Sequence, residues 1–174
     1  PPMTSPTLRD ATTSDLGAIN AIYNHYVLNS TCTFQIAPES PDSRAAWFAN
    51  RGPAHPVIVA ESAGEIIAWG SLSPFHKREA FAATAENSIY VHHQHLRRGL
   101  GSLLLEALIL RARSANLLSI VAAISSDQPG SIALHQRHGF SESGRLLEVG
   151  QKFGKTLDIV YLQLFTSRHP AQPS

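Results

Sequence analysis

The residues whose types and spacing point most directly to chemistry are Arg97-Arg98-Gly99-Leu100-Gly101-Ser102. Two glycines one residue apart let a backbone come close to a ligand. Leu103, Leu104, Ala107, Leu108 and Leu110 then recur at helical spacing, so a helix starts at this turn. The first N–H groups of a helix lack an intrahelical acceptor, and the helix dipole makes that end partly positive. Arg97 and Arg98 add two full charges. Such a turn can seat a phosphate or pyrophosphate; the plainer alternative is a tight strand-to-helix turn with two solvated arginines. No Gly-Lys-Ser/Thr follows, so it is not a Walker A loop. Leu104 fills the third glycine position of the dinucleotide fingerprint, so it is not that either.

In front of the turn, Ile89, Tyr90 and Val91 suit a half-buried pleated surface and predict a strand over residues 87–92. Residues 93–98 are polar and irregular. The unit is therefore strand, glycine-bearing turn, helix. Set in that order, Leu96-Arg97-Arg98-Gly99-Leu100-Gly101 resembles the Q/R-x-x-G-x-G/A motif of the GNAT superfamily of N-acetyltransferases. Leu96 departs from the usual Gln or Arg, and the neighbouring arginines offer the missing charge. The segments IYNHYVLNSTCTF, WGSLSPFHKREAF, AENSIYV, SIALHQRHGF and VGQKFGKTLDIVYLQL resemble the phosphinothricin and methionine sulfoximine acetyltransferase branch, over residues 8–164.

The resemblance implies an α/β acyl-CoA N-acyltransferase fold, with a mixed, mostly antiparallel sheet and helices on both faces. It implies acetyl-CoA as co-substrate, no metal, a small amino-acid-like acceptor such as phosphinothricin or methionine sulfoximine or sulfone, and a homodimer. Another small amine, a peptide terminus, or a non-catalytic coenzyme A sensor are the alternative functions. The coenzyme would lie on Arg97, Arg98, Gly99, Leu100, Gly101 and Ser102, with Ile89, Tyr90, Val91 and Gln128 as further contacts. The family pattern N-x-x-S-x-x-L-Y-x-x-x-G-F is matched at Ser131, Leu134, Gly139 and Phe140. Gln128 stands where Asn is usual and His135 where Tyr is usual, and the phosphinothricin branch also carries His there.

Direct acetyl transfer to an amine, through a tetrahedral intermediate, sets three tasks. The amine must lose a proton, the oxyanion needs donors, and the departing thiolate gains from a proton. Glu86, expected at the head of the central strand, is the candidate base; its alternative is a solvated strand-end carboxylate. The backbone N–H groups of residues 89–91 are the oxyanion donors that the resemblance implies. His135 is the candidate acid near sulfur, because imidazole titrates near neutrality; the alternative is a coenzyme contact or a cap. Acceptor contacts implied by the branch are Phe34, His76, Lys77, Arg78, Glu86, Asn87 and Ser88. Phe34 could equally be core. Arg78 suits a carboxylate or phosphinate, which a guanidinium binds bidentately, and in the branch its segment sometimes reaches across a dimer interface. The cluster His92, His93, His95 lacks an accompanying carboxylate or cysteine, which argues against a metal. Cys32 has no local His-Asp pairing that would make it an acyl carrier.

The elements that must position these groups are legible in outline. Residues 7–10 predict a strand, and Thr12, Thr13, Ser14 and Asp15 offer caps for a helix. Leu16, Ile19, Ile22, Tyr23, Tyr26 and Val27 share a face of that helix, which ends at Asn29-Ser30. Residues 30–35 are β-prone. Residues 38–41 predict a turn, and Asp42 or Ser43 a cap for a short helix that ends at Gly52. Residues 57–61 and 65–73 predict two strands around Ala63-Gly64, and residues 74–84 a loop or short helix. Residues 117–125 predict a buried strand, 127–130 a turn, and 131–138 a helix. Strands follow from Phe140 and over 157–165.

The chain has 174 residues, 43% hydrophobic and 16% charged, with a net charge of +1. That predicts one globular domain over residues 7–166, with flexible termini at 1–6 and 167–174. The near-neutral charge gives no general pull toward nucleic acid or membrane. One cysteine excludes an intrachain disulfide. No apolar run reaches membrane-spanning length and no stretch reads as a signal peptide, so a cytoplasmic location is expected.

Overall fold

The computed structural model describes residues 5–167. The fold is α/β, built on a seven-stranded sheet of order β1-β2-β3-β4-β5-β7-β6. The strands are β1 Thr7–Asp10, β2 Val57–Ser62, β3 Glu65–Pro74, β4 Thr84–Val91, β5 Ser119–Ser125, β6 Ser141–Lys152 and β7 Lys155–Phe165. Only β4 and β5 run parallel; every other pair is antiparallel. The helices are α1 Leu16–Asn29, α2 Pro41–Ala49, α3 Leu100–Ser114 and α4 Pro129–Arg137.

Strand alternation sorts the core into two layers. One face of the sheet packs Ala68, Leu72 and Ala85 against Leu100, Leu104, Leu105, Leu108 and Ala112 of α3. The opposite face packs Val57, Val59 and Trp69 against Ile19 and Ile22 of α1. β2 is covered on both sides, which is why its sequence is a continuous apolar run. The β2–β3 hairpin closes on Ala63 and Gly64, both at positive φ, a two-residue turn whose twist matches that of the strands.

Several expectations move. β4 begins at Thr84, three residues before Asn87, because Thr84, Ala85 and Glu86 pair with Ser119, Ile120 and Val121 of β5. Residues 30–35 form no strand. Their side chains take the backbone donors a ladder would use: Cys32 N–H donates to Ser30 Oγ (3.1 Å) and Gln35 N–H to Thr33 Oγ1 (3.4 Å). α2 is capped by Ser40, which accepts from Ser43 N–H at 3.1 Å, and Pro41 is its first residue rather than a turn. Its C-cap is Asn50, so Gly52 lies beyond the helix. α4 likewise opens on a proline, Pro129. Of the termini predicted to be flexible, residues 1–4 and 168–174 lie outside the described residues.

Asp15, expected only as a first-turn acid, is buried and ties three elements together. It accepts from Arg9 Nη1 (2.7 Å), Arg9 Nη2 (2.9 Å) and the N–H of Thr12 (2.7 Å), while Arg9 Nε also donates to Glu61 (2.8 Å). The Arg9 hydrogen bonds hold the Asp15 carboxyl far below the usual carboxylate range, against the opposing effect of burial. A depressed folded value adds stability that is present above the unfolded pKa, near ~4, and is lost as pH falls through the folded one. Asp15→Asn should therefore cost about 2 kcal/mol at neutral pH in denaturant unfolding. That gap should narrow as the pH drops below ~4. A gap as wide at pH ~3 as at neutrality would put the loss elsewhere than in the charge.

Candidate active site

The pairing of β4 with β5 stops after Glu86↔Val121. Beyond it β4 stays with β3 as far as Val91, and β5 stays with β7 as far as Ser125. Between the diverging strands lies a cleft of about 1010 Å³, lined by residues 87–91, residues 122–125 and the turn that opens α3.

Backbone alternation decides which amides face it. His92 N–H donates to Ile67 O on β3 (2.8 Å). Stepping back by twos along a regular ladder, the N–H groups of Tyr90 and Ser88 also face β3, and those of Ile89 and Val91 face the cleft. The predicted trio 89–91 is thus divided. Tyr90 contributes its ring instead, stacked on Trp69 at 5.0 Å and edge-on to Tyr23 at 5.1 Å.

The two glycines of the turn have different jobs. Gly99 is the cap of α3 at φ +78°, a conformation that favours glycine. Gly101 is ordinary helix, but a Cβ there would meet Leu134 Cδ2 at 3.0 Å, so it lets α3 approach α4. The amides of Leu100, Gly101 and Ser102 precede the first intrahelical bond, Leu103 N–H to Gly99 O (3.1 Å). Gly99, Leu100, Gly101, Ser102 and Arg97 line the cleft; Arg98 does not, and its Nη1 lies 3.3 Å from His95 Nδ1. Gln128 lines it at the cap of α4, with Nε2 donating to Thr31 Oγ1 at 2.9 Å.

Glu86 and Asn87 project to opposite faces of β4 and both border the cleft. The Glu86 carboxylate has no ion-pair or hydrogen-bond partner among the described residues, and burial pushes its pKa up. Asn87 faces α4, where its Nδ2 lies 3.0 Å from His135 Nε2. The other ring nitrogen of His135 lies 2.8 Å from the carbonyl of Ser131. A carbonyl only accepts, so Nδ1 carries the proton and Nε2 is the acceptor from Asn87. Burial lowers the His135 pKa and keeps the ring neutral. In this arrangement His135 Nε2 holds no proton, and the one proton of the ring, on Nδ1, is bonded to the Ser131 carbonyl. Asn87 Oδ1 is buried without a partner, as are Trp69 Nε1 and Ser71 Oγ, and all three residues line the cleft.

Phe34 lines the cleft too, on a loop fastened at both sides. Thr31 Oγ1 bonds the carboxylate of Asp127 (2.8 and 2.9 Å), and the buried Lys152 donates to Thr33 O (2.7 Å). The Phe34 ring lies on Gly150, where a Cβ would stand 2.3 Å from Cε2. Ser88 is a lining residue, whereas His76, Lys77 and Arg78 are exposed and lie outside this cleft. Among the described residues no three histidine, cysteine or acidic side chains form a metal-binding group. Burial raises the Cys32 thiol pKa, the opposite of an activated nucleophile.

Sequence reasoning missed Arg44, Trp47 and Trp69 as lining residues. A readable signal existed for the first two: Arg44 and Trp47 stand at i and i+3, one face of a short helix. Gly150 left no local signal, since its neighbour Phe34 is distant in sequence.

The chain matches the acetyltransferase (GNAT) family over residues 19–140. It is 43% identical over 162 residues to an L-methionine sulfoximine/L-methionine sulfone acetyltransferase of Pseudomonas aeruginosa, covering 92% of this chain and 94% of that one. Among solved structures it is similar to an acetyltransferase of Salmonella typhimurium with its cofactor acetyl-CoA, at TM-score 0.91 and 36% identity, covering 97% of this chain and 98% of the other. It is also similar to a phosphinothricin acetyltransferase of Sinorhizobium meliloti in complex with acetyl-CoA, at TM-score 0.92 and 32% identity, covering 98% and 93%.

Proposed function

The chain belongs to the acetyltransferase (GNAT) family, and on that premise we propose that it acetylates the α-amine of a small amino-acid-like substrate of the methionine sulfoximine, methionine sulfone or phosphinothricin kind. The observation that carries the reading is the single cleft that joins an amide-rich helix start to an unpaired carboxylate, Glu86. Acetyl-CoA supplies the activated acetyl group as a thioester. The residues present fit it: Gly99, Leu100, Gly101 and Ser102 offer helix-start amides beside Arg97, an anion seat of the pyrophosphate type. Gln128 borders the same channel.

In this reading Glu86 takes the ammonium proton, directly or through a water, so that the amine acquires a lone pair. The cleft-facing amides of Ile89 and Val91 donate to the oxyanion. His135 acts through Asn87, which it orients by accepting from Nδ2, and coenzyme A would leave as the carbon–sulfur bond breaks, its sulfur taking the second amine proton by way of water. Phe34 and Ser88 border the acceptor on the α1–α2 side.

The protein acts as a homodimer, in which His76, Lys77 and Arg78 of one protomer meet the polar side-chain end of the acceptor in its partner. Support comes from the exposure of that segment and of Leu146, Leu147 and Val149 on β6. Apolar side chains grouped on an outer strand are suited to burial against a second copy. Sedimentation as a monomer at assay concentration would remove this part. The reading also places the protein in the cytoplasm, in a detoxifying role. Among the described residues no helix is long and apolar enough to cross a membrane.

The deciding experiment is thiol release from acetyl-CoA, measured against methionine sulfoximine, methionine sulfone and phosphinothricin beside a polyamine and a peptide terminus. Turnover should be highest with the amino-acid analogues. Preference for the polyamine or peptide would replace the acceptor class, and coenzyme binding without thiol release for any amine would leave a sensor.

A further inference from the structure

Arg44 is 5% exposed, and that remaining surface borders the cleft. Its guanidinium lies over three rings, 4.8 Å from Tyr23, 4.6 Å from Trp47 and 5.6 Å from Trp69. Its side chain makes one hydrogen bond, from Nε to Asn20 Oδ1 at 3.1 Å. Both terminal nitrogens lack an acceptor, and no carboxylate lies within ion-pair distance among the described residues. The acidic group that acts on its charge is Glu39, which also borders the cleft. A buried guanidinium with its fork unused is costly unless something completes it.

Two more donors stand unused on the same wall. Trp69 and Ser71 lie two residues apart on one face of β3, and Trp69 Nε1 and Ser71 Oγ are buried without partners. Indole N–H donates only, and a hydroxyl can donate. Three unpartnered donors, one of them cationic, describe a site for an anionic oxygen group. The same β3 face carries Ser73, which pairs with Glu86, so this wall continues to the proposed base.

We propose that Arg44, with Trp69 Nε1 and Ser71 Oγ, forms the seat of the acceptor's α-carboxylate. The proposal rests on the acceptor class given above and adds which residues read it. The α-carboxylate is the group common to methionine sulfoximine, methionine sulfone and phosphinothricin, whereas their side-chain ends differ in charge. A planar guanidinium matches its two oxygens as a fork, which an ammonium cannot do. The aromatic rings around Arg44 exclude water and hold the fork in place.

The test compares methionine sulfone with the corresponding amine that lacks the carboxylate, in the wild type and in Arg44→Gln and Arg44→Lys. The wild type should favour the carboxylate-bearing acceptor, and Arg44→Gln should shrink that preference on the order of 30-fold, with the KM for acetyl-CoA unmoved. Arg44→Lys, which keeps charge and loses the fork, should fall between and covers the case in which the glutamine variant fails to fold. Equal losses on both acceptors in the folded variants would make Arg44 a packing residue and overturn the proposal, as would an unchanged preference. A wild type that turns over the bare amine as well as the amino acid would also overturn it, while leaving the acetyltransferase reading standing. A wild type that acetylates neither would remove the acceptor class and this site with it.

Discussion

Glu86→Gln should lower kcat by about 10²- to 10³-fold while leaving the KM for acetyl-CoA within a factor of two or so. The substitution keeps the size of the side chain and removes its ability to take a proton. Glu86 sits on the α1–α2 side of β4, away from the helix start that would hold the coenzyme, so binding and proton transfer separate in the kinetics. The pH profile provides a second readout. Burial raises the Glu86 pKa, and the base works when ionised, so the acid limb of kcat/KM should lie above the ordinary glutamate range and rise with pH. That limb should vanish in the glutamine variant.

Stability should move the other way. A raised folded pKa means the contribution is present at low pH and is lost as pH rises through the folded value. Removing the charge should therefore leave the protein at least as stable as the wild type at pH ~8. Unchanged turnover would take Glu86 out of the mechanism; lost turnover together with a lowered melting temperature would mark it as structural.

The second large effect is expected at a residue with no chemistry of its own. In Gly150→Ala the new methyl would stand 2.3 Å from Phe34 Cε2 and 2.6 Å from Cδ2. That is far inside van der Waals contact, so the ring must leave its place. The loop that carries it has little freedom to follow, because Thr31 is held by Asp127 and Thr33 by Lys152. Phe34 borders the acceptor side of the cleft, and a shift of about 1 Å in a positioning group can cost 10²-fold. The expected result is a loss of about that size in kcat/KM for the acceptor, with coenzyme binding retained. Phe34→Ala in the Gly150→Ala background tests the cause, because removing the ring should restore a normal melting temperature. A double variant no more stable than the single one would place the damage in β6 itself.

These two predictions differ in how much of their basis was legible beforehand. Glu86 could be named as a candidate from the chain alone, because it stands just before the run Ile89-Tyr90-Val91 that leads into a glycine turn and a helix. Local order of that kind survives folding: β4, the cap at Gly99 and α3 follow from residues that are neighbours in sequence. The separate duties of Gly99 and Gly101 did not follow. Positive φ at the first is a local property, but the second is small because Leu134 of another helix stands against it. His135 shows the same limit. Its residue type suggested an acid, and only the contacts to Ser131 and Asn87 fix its tautomer and leave Nε2 as an acceptor.

The amino-acid order by itself therefore determined the strand–turn–helix unit, the apolar repeats of its strands and helices, and the carboxylate that precedes Ile89-Tyr90-Val91. Those depend on backbone preferences and on side-chain repeats of two or 3.6 residues, which act over a few neighbours. Tertiary structure alone decided where β4 and β5 part, which amides turn into the gap, and which distant side chains meet there. Arg44 over Trp69 and Gly150 beneath Phe34 come together across more than twenty and more than one hundred residues respectively. No short-range preference encodes such meetings; they arise when a whole sheet sets its register and two helical layers close on it.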